Sequence, residues 1–236
     1  MTPDALYATV EATWPPASAR RIGPWIVREG QGGGQRVSAA TVAGDWTGAD
    51  IPAAEQAMRD LGQTPLFMIR TQDAALDAVL AARGYRVKDP VVAYAGPAAA
   101  VAEPAPSPMK AFPHWPPLAI TLEVWEETGI GPGRVAVMQR VAGPKCAILG
   151  RIEDRAAGAL FVAVNGPIAM VHAVEVLPAM RRKGLARAML KRAAGWAADQ
   201  GAETFSLVVT EANEGARALY SSLGMDVVGH YHYRIL

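Results

Sequence analysis

What the chain lacks narrows its chemistry before any motif is read. Cys146 is the only cysteine, which excludes an intramolecular disulfide and a cysteine-ligated metal cluster and fits a reducing, cytoplasmic setting. It lies in Lys145-Cys-Ala-Ile-Leu149, an apolar strand-like run, where packing is expected rather than nucleophilic attack. No stretch is apolar for long enough to span a bilayer. The opening Met1-Thr-Pro-Asp-Ala-Leu-Tyr7 has no basic segment followed by an apolar one, so a secretory leader is not expected. An excess of one charge is missing too: 23 Lys and Arg stand against 22 Asp and Glu. That leaves no electrostatic footprint for nucleic acid and points to a small molecule or peptide as substrate.

What is present is a chain of 236 residues, half of them apolar, enough for one large or two compact domains. Its first part offers a strand at Trp25-Ile-Val27, a glycine run at Glu29-Gly-Gln-Gly-Gly-Gly-Gln35, and a strand over Arg36–Val42. The glycine run has no Lys-Ser or Lys-Thr ending, so it reads as a flexible hairpin turn, not a phosphate loop. Helices over Ala53–Gly62 and Asp73–Gly84 flank a buried strand at Leu66–Ile69, and a further strand begins at Tyr85.

Seven prolines then punctuate an Ala-rich segment between Gly96 and Pro117, which cannot continue a helix and would remove ladder donors from a sheet. It reads as a linker over residues 97–117 that becomes ordered towards Trp115. Beyond it, a strand is expected at Leu118–Val124 and an amphipathic helix at Gly131–Val141. An antiparallel meander follows, formed by Cys146–Ile152, Ala157–Val164 and Ile168–Val176. Phe205-Ser-Leu-Val-Val209 is continuous enough to be a strand buried on both faces.

The chemistry concentrates in Val174-Glu-Val-Leu-Pro-Ala-Met-Arg-Arg-Lys-Gly-Leu-Ala-Arg-Ala-Met-Leu190, a strand, a basic turn and a helix. Such a turn aims backbone N–H groups and the positive end of the helix dipole at one point, a natural seat for phosphate. Arg181, Arg182, Lys183 and Arg187 add side-chain cations, while Gly184 and Ala186 keep the helix start open to a ligand.

The spacing Arg181-x-x-Gly184-x-Ala186 resembles the Gln/Arg-x-x-Gly-x-Gly/Ala signature of the GNAT superfamily of N-acetyltransferases, which binds the pyrophosphate of coenzyme A. A second segment, Asn213-x-x-Ala216-x-x-Leu219-Tyr220-x-x-x-Gly224-Met225, is similar to the family's Asn-x-x-Ala-x-x-Leu-Tyr-x-x-x-Gly-Phe, with Met where Phe is usual. The resemblance implies an α/β (α+β) fold, with a mixed, mostly antiparallel twisted sheet flanked by helices. It also implies acetyl-CoA as acyl donor to a primary amine of a small molecule or amino acid. On that resemblance Arg181, Arg182, Lys183, Gly184, Leu185, Ala186, Arg187, Asn213 and Ala216 contact the cofactor, together with the backbone of Val174 and Val176. Tyr220 stands near the thioester sulfur and protonates the leaving thiolate.

Direct transfer in a ternary complex needs a base, because a lysine-like amine is mostly an ammonium at neutral pH. Glu175 and His172 are the candidates, and strict strand alternation sends them to opposite faces. Glu175 is favoured, since a charge between Val174 and Val176 is costly unless used or solvated; a histidine in an apolar run more often serves the core. No metal is required.

A shift of 140 residues aligns Leu66–Ile69 with Ser206–Val209, Val79 with Leu219, Gly84 with Gly224, and Val91–Tyr94 with Tyr231–Arg234, the signature of an internal repeat. The chain then reads as two tandem GNAT-like domains, a degenerate one over residues 1–96 and a catalytic one over 118–236. Asp73 falls opposite Asn213, Leu80 opposite Tyr220, and Thr41–Trp46 opposite Arg181–Ala186, so the first copy has lost the cofactor residues. A coenzyme A-binding sensor without turnover and a protein N-acetyltransferase are the competing readings, and either a monomer or a homodimer is compatible with the sequence.

Overall fold

The computed structural model describes residues 1–236. The first half runs α1 (Pro3–Thr13), β1 (Ser18–Ile22), β2 (Trp25–Glu29), β3 (Thr41–Val42), α2 (Ile51–Asp60), β4 (Leu66–Arg70), α3 (Ala74–Ala82) and β5 (Arg86–Pro97). Next come α4 (Ala98–Ala102), β6 (Ala111–His114), α5 (Ala119–Glu127) and α6 (Pro132–Arg140). The second half continues with β7 (Lys145–Ile152), β8 (Arg155–Asn165), β9 (Ile168–Val176), α7 (Leu185–Asp199), β10 (Thr204–Thr210), α8 (Glu214–Ser221) and β11 (Asp226–Ile235).

Eight of these strands form one sheet in the order β4-β11-β5-β10-β9-β8-β7-β6, antiparallel except for the β9–β10 pair. The meander β7-β8-β9 is the central slab. Its middle strand is apolar from Ala156 to Val164 because both faces are covered: Leu160 and Val162 enter a core shared with α7, whereas Ala159, Phe161 and Ala163 enter a second core with Trp14, Val124, Trp125 and Val137. On the α7 side, Leu185, Met189, Ala193 and Ala197 recur at helical spacing and are buried. The facing Gly150 and Gly158, opposite each other in register, make room for Met189 and Leu185.

The two halves exchange their closing strands. β5 leaves the first half and pairs with β10, while β11 leaves the second and pairs with β4. The registers obey the 140-residue shift: Leu66 pairs with Ile235 as Ser206 pairs with Ala95, and Met68 with Tyr233 as Val208 with Ala93. At the centre Val91 pairs with its own counterpart Tyr231. A pseudo-two-fold axis therefore passes through the β5–β11 ladder, and strands from both halves share the same sheet. The remaining first-half strands, β1-β2-β3, form a small separate sheet touching β4 through one parallel bridge, Ala40 to Phe67.

Several local expectations change. Leu118–Val124 is not a strand but most of α5; Thr121, Val124 and Trp125 face inward at helical spacing while Leu118, Ile120 and Leu122 stay exposed. The strand expected over Arg36–Val42 is mainly a short 3₁₀ turn at Gln35–Val37, with only Thr41–Val42 in the ladder. α1 is a further helix, capped by the Thr2 hydroxyl. Residues 97–117 are built into the fold: α4 packs its buried Ala98, Val101 and Ala102 on the α7 core, and β6 pairs with β7.

The repeat also needs a different offset ahead of its helices. α2 begins at Ile51 and α7 at Leu185, and α2 is 10 residues long against 15. The turn matching Arg181–Gly184 is therefore Thr47–Asp50 and not Thr41–Trp46. Asp50 closes that turn by accepting from the backbone N–H and hydroxyl of Thr47, so a carboxylate stands where an anion would have to sit.

Candidate active site

The site is created by an irregularity in β9. Along β8 the pairing steps from Ala159 to Phe161, while along β9 it steps from Glu175 back to His172, so β9 carries one extra residue. Ala173 takes it up with φ +50°, as in a β-bulge. Beyond Val171–Leu207 the ladder between β9 and β10 ends, although both strands continue. They splay, and the gap opens between them. The bulge also reverses the side-chain alternation: Ala169 and Val171 face the α7 core, and after Ala173 so do Val174 and Val176. His172 and Glu175, expected on opposite faces, consequently line one cavity.

On one side of the gap lies a cavity of about 510 Å³ at the start of α7. Gly184 caps the helix with φ +76°, and Arg182 has φ +63°. The backbone N–H groups from Arg182 to Arg187 find no acceptor in the protein. A run of unpaired N–H groups of this kind is an anion cradle. An added Cβ at Gly184 would meet no protein atom within 4 Å, so within the protein itself the glycine is required for its backbone conformation. Val174, Glu175, Val176, Arg181, Arg182, Leu185, Ala186, Arg187, Asn213, Ala216 and Tyr220 also line this cavity. Lys183 does not join them: it borders a separate depression with Arg151 and Asp154, because the turn directs it outward. Asn213 caps α8, its Oδ1 accepting from the N–H of Ala216 at 3.1 Å.

On the other side is a cavity of about 370 Å³, lined by β9 and β10, by Trp14 after α1, by Gly33, Gly34, Gln35 and Arg36 of the glycine run, and by Tyr231 and Tyr233 of β11. The glycine run is thus a packed wall and not a loose hairpin: a Cβ on Gly33 would strike Val137 at 2.4 Å, and Gly34 has φ +97°. The two cavities share Val174, Glu175, Asn213 and Tyr220.

Tyr220 is 5% exposed. Burial, helped by the charge of Glu175 and by Tyr94, pushes its phenol up to about 12, so it holds its proton at any physiological pH. Burial raises Glu175 above the ordinary carboxylate range, while Arg181 and Arg134 pull it back. His172 is differently placed. Its Nε2 lies 2.9 Å from the Thr13 hydroxyl, which itself donates to the carbonyl of Thr9 at 2.6 Å; its Nδ1 lies 2.9 Å from Arg36 Nη1. Because a guanidinium only donates, Nδ1 is the unprotonated nitrogen and Nε2 carries the proton. Burial and the Arg36 charge hold the imidazole well below its usual range, and Trp14 covers it at 4.8 Å between ring centroids. Cys146 lies outside both cavities, buried, its thiol pushed up to about 12.

Residues 113–225 match the acetyltransferase (GNAT) family. This segment is a GNAT acetyltransferase domain. The match spans β6 to the end of α8, and with it the bulged strand, the N–H cradle and Tyr220; the chain is accordingly an acyltransferase. Over nearly its full length it is 25% identical to the uncharacterized N-acetyltransferase YobR of Bacillus subtilis, covering 95% of this chain and 94% of that protein. Among solved structures, a GCN5-related N-acetyltransferase from Kribbella flavida superposes with a TM-score of 0.65 at 17% identity, covering 98% of this chain and 94% of the other. A tandem GNAT protein from the clavulanic acid biosynthesis pathway superposes with a TM-score of 0.64 at 13% identity, covering 98% and 87%. These likenesses extend over both halves, so the first half has the shape found beside GNAT domains elsewhere, although the family match begins only at residue 113.

Proposed function

We propose that the protein transfers an acetyl group from acetyl-CoA to a primary amine, directly between the two bound substrates. The observation that carries this reading is the junction of the two cavities at Glu175 and Tyr220. It is a geometry in which a donor and an acceptor entering from opposite sides meet beside a base and an acid.

The cavity at α7 suits coenzyme A. Its N–H groups and Arg181, Arg182 and Arg187 would hold the pyrophosphate, and the unladdered edge of Val174 and Val176 would face the pantetheine arm. Bound there, acetyl-CoA supplies the thioester carbonyl that the amine attacks and the thiolate that leaves.

Glu175 takes the proton that the ammonium must lose. Its burial makes the carboxylate a stronger base than an exposed one, while Arg181 and Arg134 favour its charged form and limit that rise. Tyr220 gives a proton to the departing sulfur. A phenol at about 12 would be too weak an acid for a thiolate in water, where thiols titrate near 8.5. The burial that raises the phenol also disfavours a free thiolate, so proton transfer between them is less uphill in a desolvated gap than in water. His172 has no free nitrogen to act as base and serves to hold its neighbours. No acyl group needs to rest on Cys146, which lies outside both cavities.

Calorimetry with acetyl-CoA tests the donor half: one equivalent should bind, and Gly184→Trp should abolish binding. Thiol release with a panel of primary amines tests turnover. Binding without release from any amine would favour a coenzyme A sensor, and no binding at all would withdraw the reading.

A further inference from the structure

Two guanidiniums, Arg36 and Arg134, line the acceptor-side cavity, and neither has a carboxylate within ion-pairing distance. Arg134 is near enough to Glu175 to act on its charge. Arg36 lies deeper. Its Nε is sealed from solvent without a hydrogen-bond partner, and the guanidinium lies against the phenols of Tyr231 and Tyr233, within hydrogen-bonding reach of both. A guanidinium keeps its proton, and the phenols and the imidazole beside it are neutral acceptors that leave its charge uncompensated; an anion in the cavity would supply that compensation.

The protein invests structure in this unpaired cation. The relay from the Thr9 carbonyl through Thr13 and His172 ends on Arg36 Nη1, holding the guanidinium in the wall of the cavity. The adjacent Gln35 has its Nε2 on Asp89 at 2.7 Å, and its Oε1 is sealed and unpaired. Arg36 and Gln35, both half-buried and side by side in the cavity wall, offer a cation with no carboxylate partner and an amide oxygen with no donor, a pairing that suits a ligand bearing both an anion and an N–H group.

We propose that the acceptor is an amino carboxylate whose carboxylate is bound by Arg36, with His172 as a positioning residue for that arginine. This deepens the acetyltransferase reading and rests on it for turnover. A planar carboxylate matches one guanidinium fork, and this cavity lacks the run of unpaired backbone N–H groups and the three arginines that line the donor side. The anion site is built jointly by α1, the glycine run and β9, so the degenerate half supplies the residue that selects the substrate.

The test reads binding and turnover separately. Thermal shift in the presence of coenzyme A is measured with glycine, β-alanine, γ-aminobutyrate, alanine and lysine, with their carboxamides, and with phosphoethanolamine; thiol release is then followed with the same panel and acetyl-CoA. At least one amino carboxylate should stabilise the protein and be acetylated with kcat/KM at least ten-fold above its carboxamide. Arg36→Met should erase that preference, chiefly through KM, while leaving acetyl-CoA binding intact. Arg36→Lys, which keeps the charge and loses the fork, should retain a reduced preference; it serves if the methionine variant does not fold. Equal response to carboxylates and carboxamides, or preference for phosphoethanolamine, overturns the assignment. Arg36-dependent carboxylate binding with no acetylation of any amine upholds the anion site and removes the acetyltransferase reading instead.

Discussion

Gly150 and Gly158 face each other across β7 and β8 beneath α7, yet replacing them with alanine should have different consequences. At Gly150 the new Cβ would meet Met189 Sδ at 2.6 Å, Met189 Cγ at 2.9 Å and Leu185 Cδ1 at 3.0 Å, all side-chain atoms that can rotate away. At Gly158 it would meet the backbone carbonyl of Glu175 at 2.7 Å and Met189 Cε at 2.9 Å. The methionine can yield; the carbonyl moves only if β9 moves at its bulge. Overpacking of this kind costs about 1–3 kcal/mol, partly offset by about 0.4–1 kcal/mol from the stiffer unfolded chain. For a chain of this size each kcal/mol lowers Tm by about 2–4 °C. Gly150→Ala should therefore lose a few degrees and keep kcat within about three-fold. Gly158→Ala should lose as much or more stability and, by shifting Glu175, about 10- to 100-fold in kcat, since a displacement near 1 Å at a reacting group can cost about 10²-fold. Differential scanning calorimetry and steady-state thiol release on both variants decide it. Equal kcat values in the two variants would refute the claim that the bulge sets the position of Glu175.

Three further outcomes follow from the same geometry. Tyr220→Phe should lower kcat by about 10²-fold with acetyl-CoA affinity unchanged by calorimetry, and the wild-type pH profile should show no alkaline limb from this phenol below about 11, because it titrates near 12. Glu175→Gln should also depress kcat, and the acid limb of wild-type kcat/KM should lie above the ordinary carboxylate range. The raised pKa means that the native state prefers protonated Glu175, so its stabilising contribution is lost as pH rises through that value; Glu175→Gln should thus raise Tm at pH 7 and leave it unchanged in acid. Asn213→Ala removes the α8 cap and should cost about 1 kcal/mol, seen as a fall of about 2–4 °C in Tm.

The sequence was most legible where chemistry and local structure coincide. Gly184 announces the start of α7, and Asn213 and Tyr220 sit on a helix whose cap and buried face are both readable. The meander was legible because its turns are sharp and its strands strongly apolar. What could not be read depends on long-range pairing or on single-residue irregularities. A bulge at Ala173 leaves no mark in composition, yet it brings Glu175 and His172 to one cavity. Leu118–Val124 carries β-forming residues that tertiary packing turns into a helix. The proline-rich segment looked like a tether because its partners, β7 and α7, lie elsewhere in the chain. Arg36 was missed for the same reason: in sequence it follows a glycine run, and only the fold places His172 beside it. The phase change between the repeats, caused by the shorter α2, likewise needs the parallel bridge at Ala40 to be seen.

The exchange of β5 and β11 sets an order of events during synthesis. Strand β4 is made early, but its antiparallel partner is β11, with Arg70 waiting for Tyr231 and Leu66 for Ile235. Until then the early strand presents an open edge of Leu66-Phe-Met-Ile69, the kind of surface that recruits other chains. The nascent chain therefore carries an unclosed first half through most of its translation, since β4 cannot pair with β11 until Asp226–Ile235 has been made. A ribosome stalled before Asp226 would hold a polypeptide with the whole donor cradle and Tyr220 already made, yet with β4 and β5 still lacking the strand that joins them.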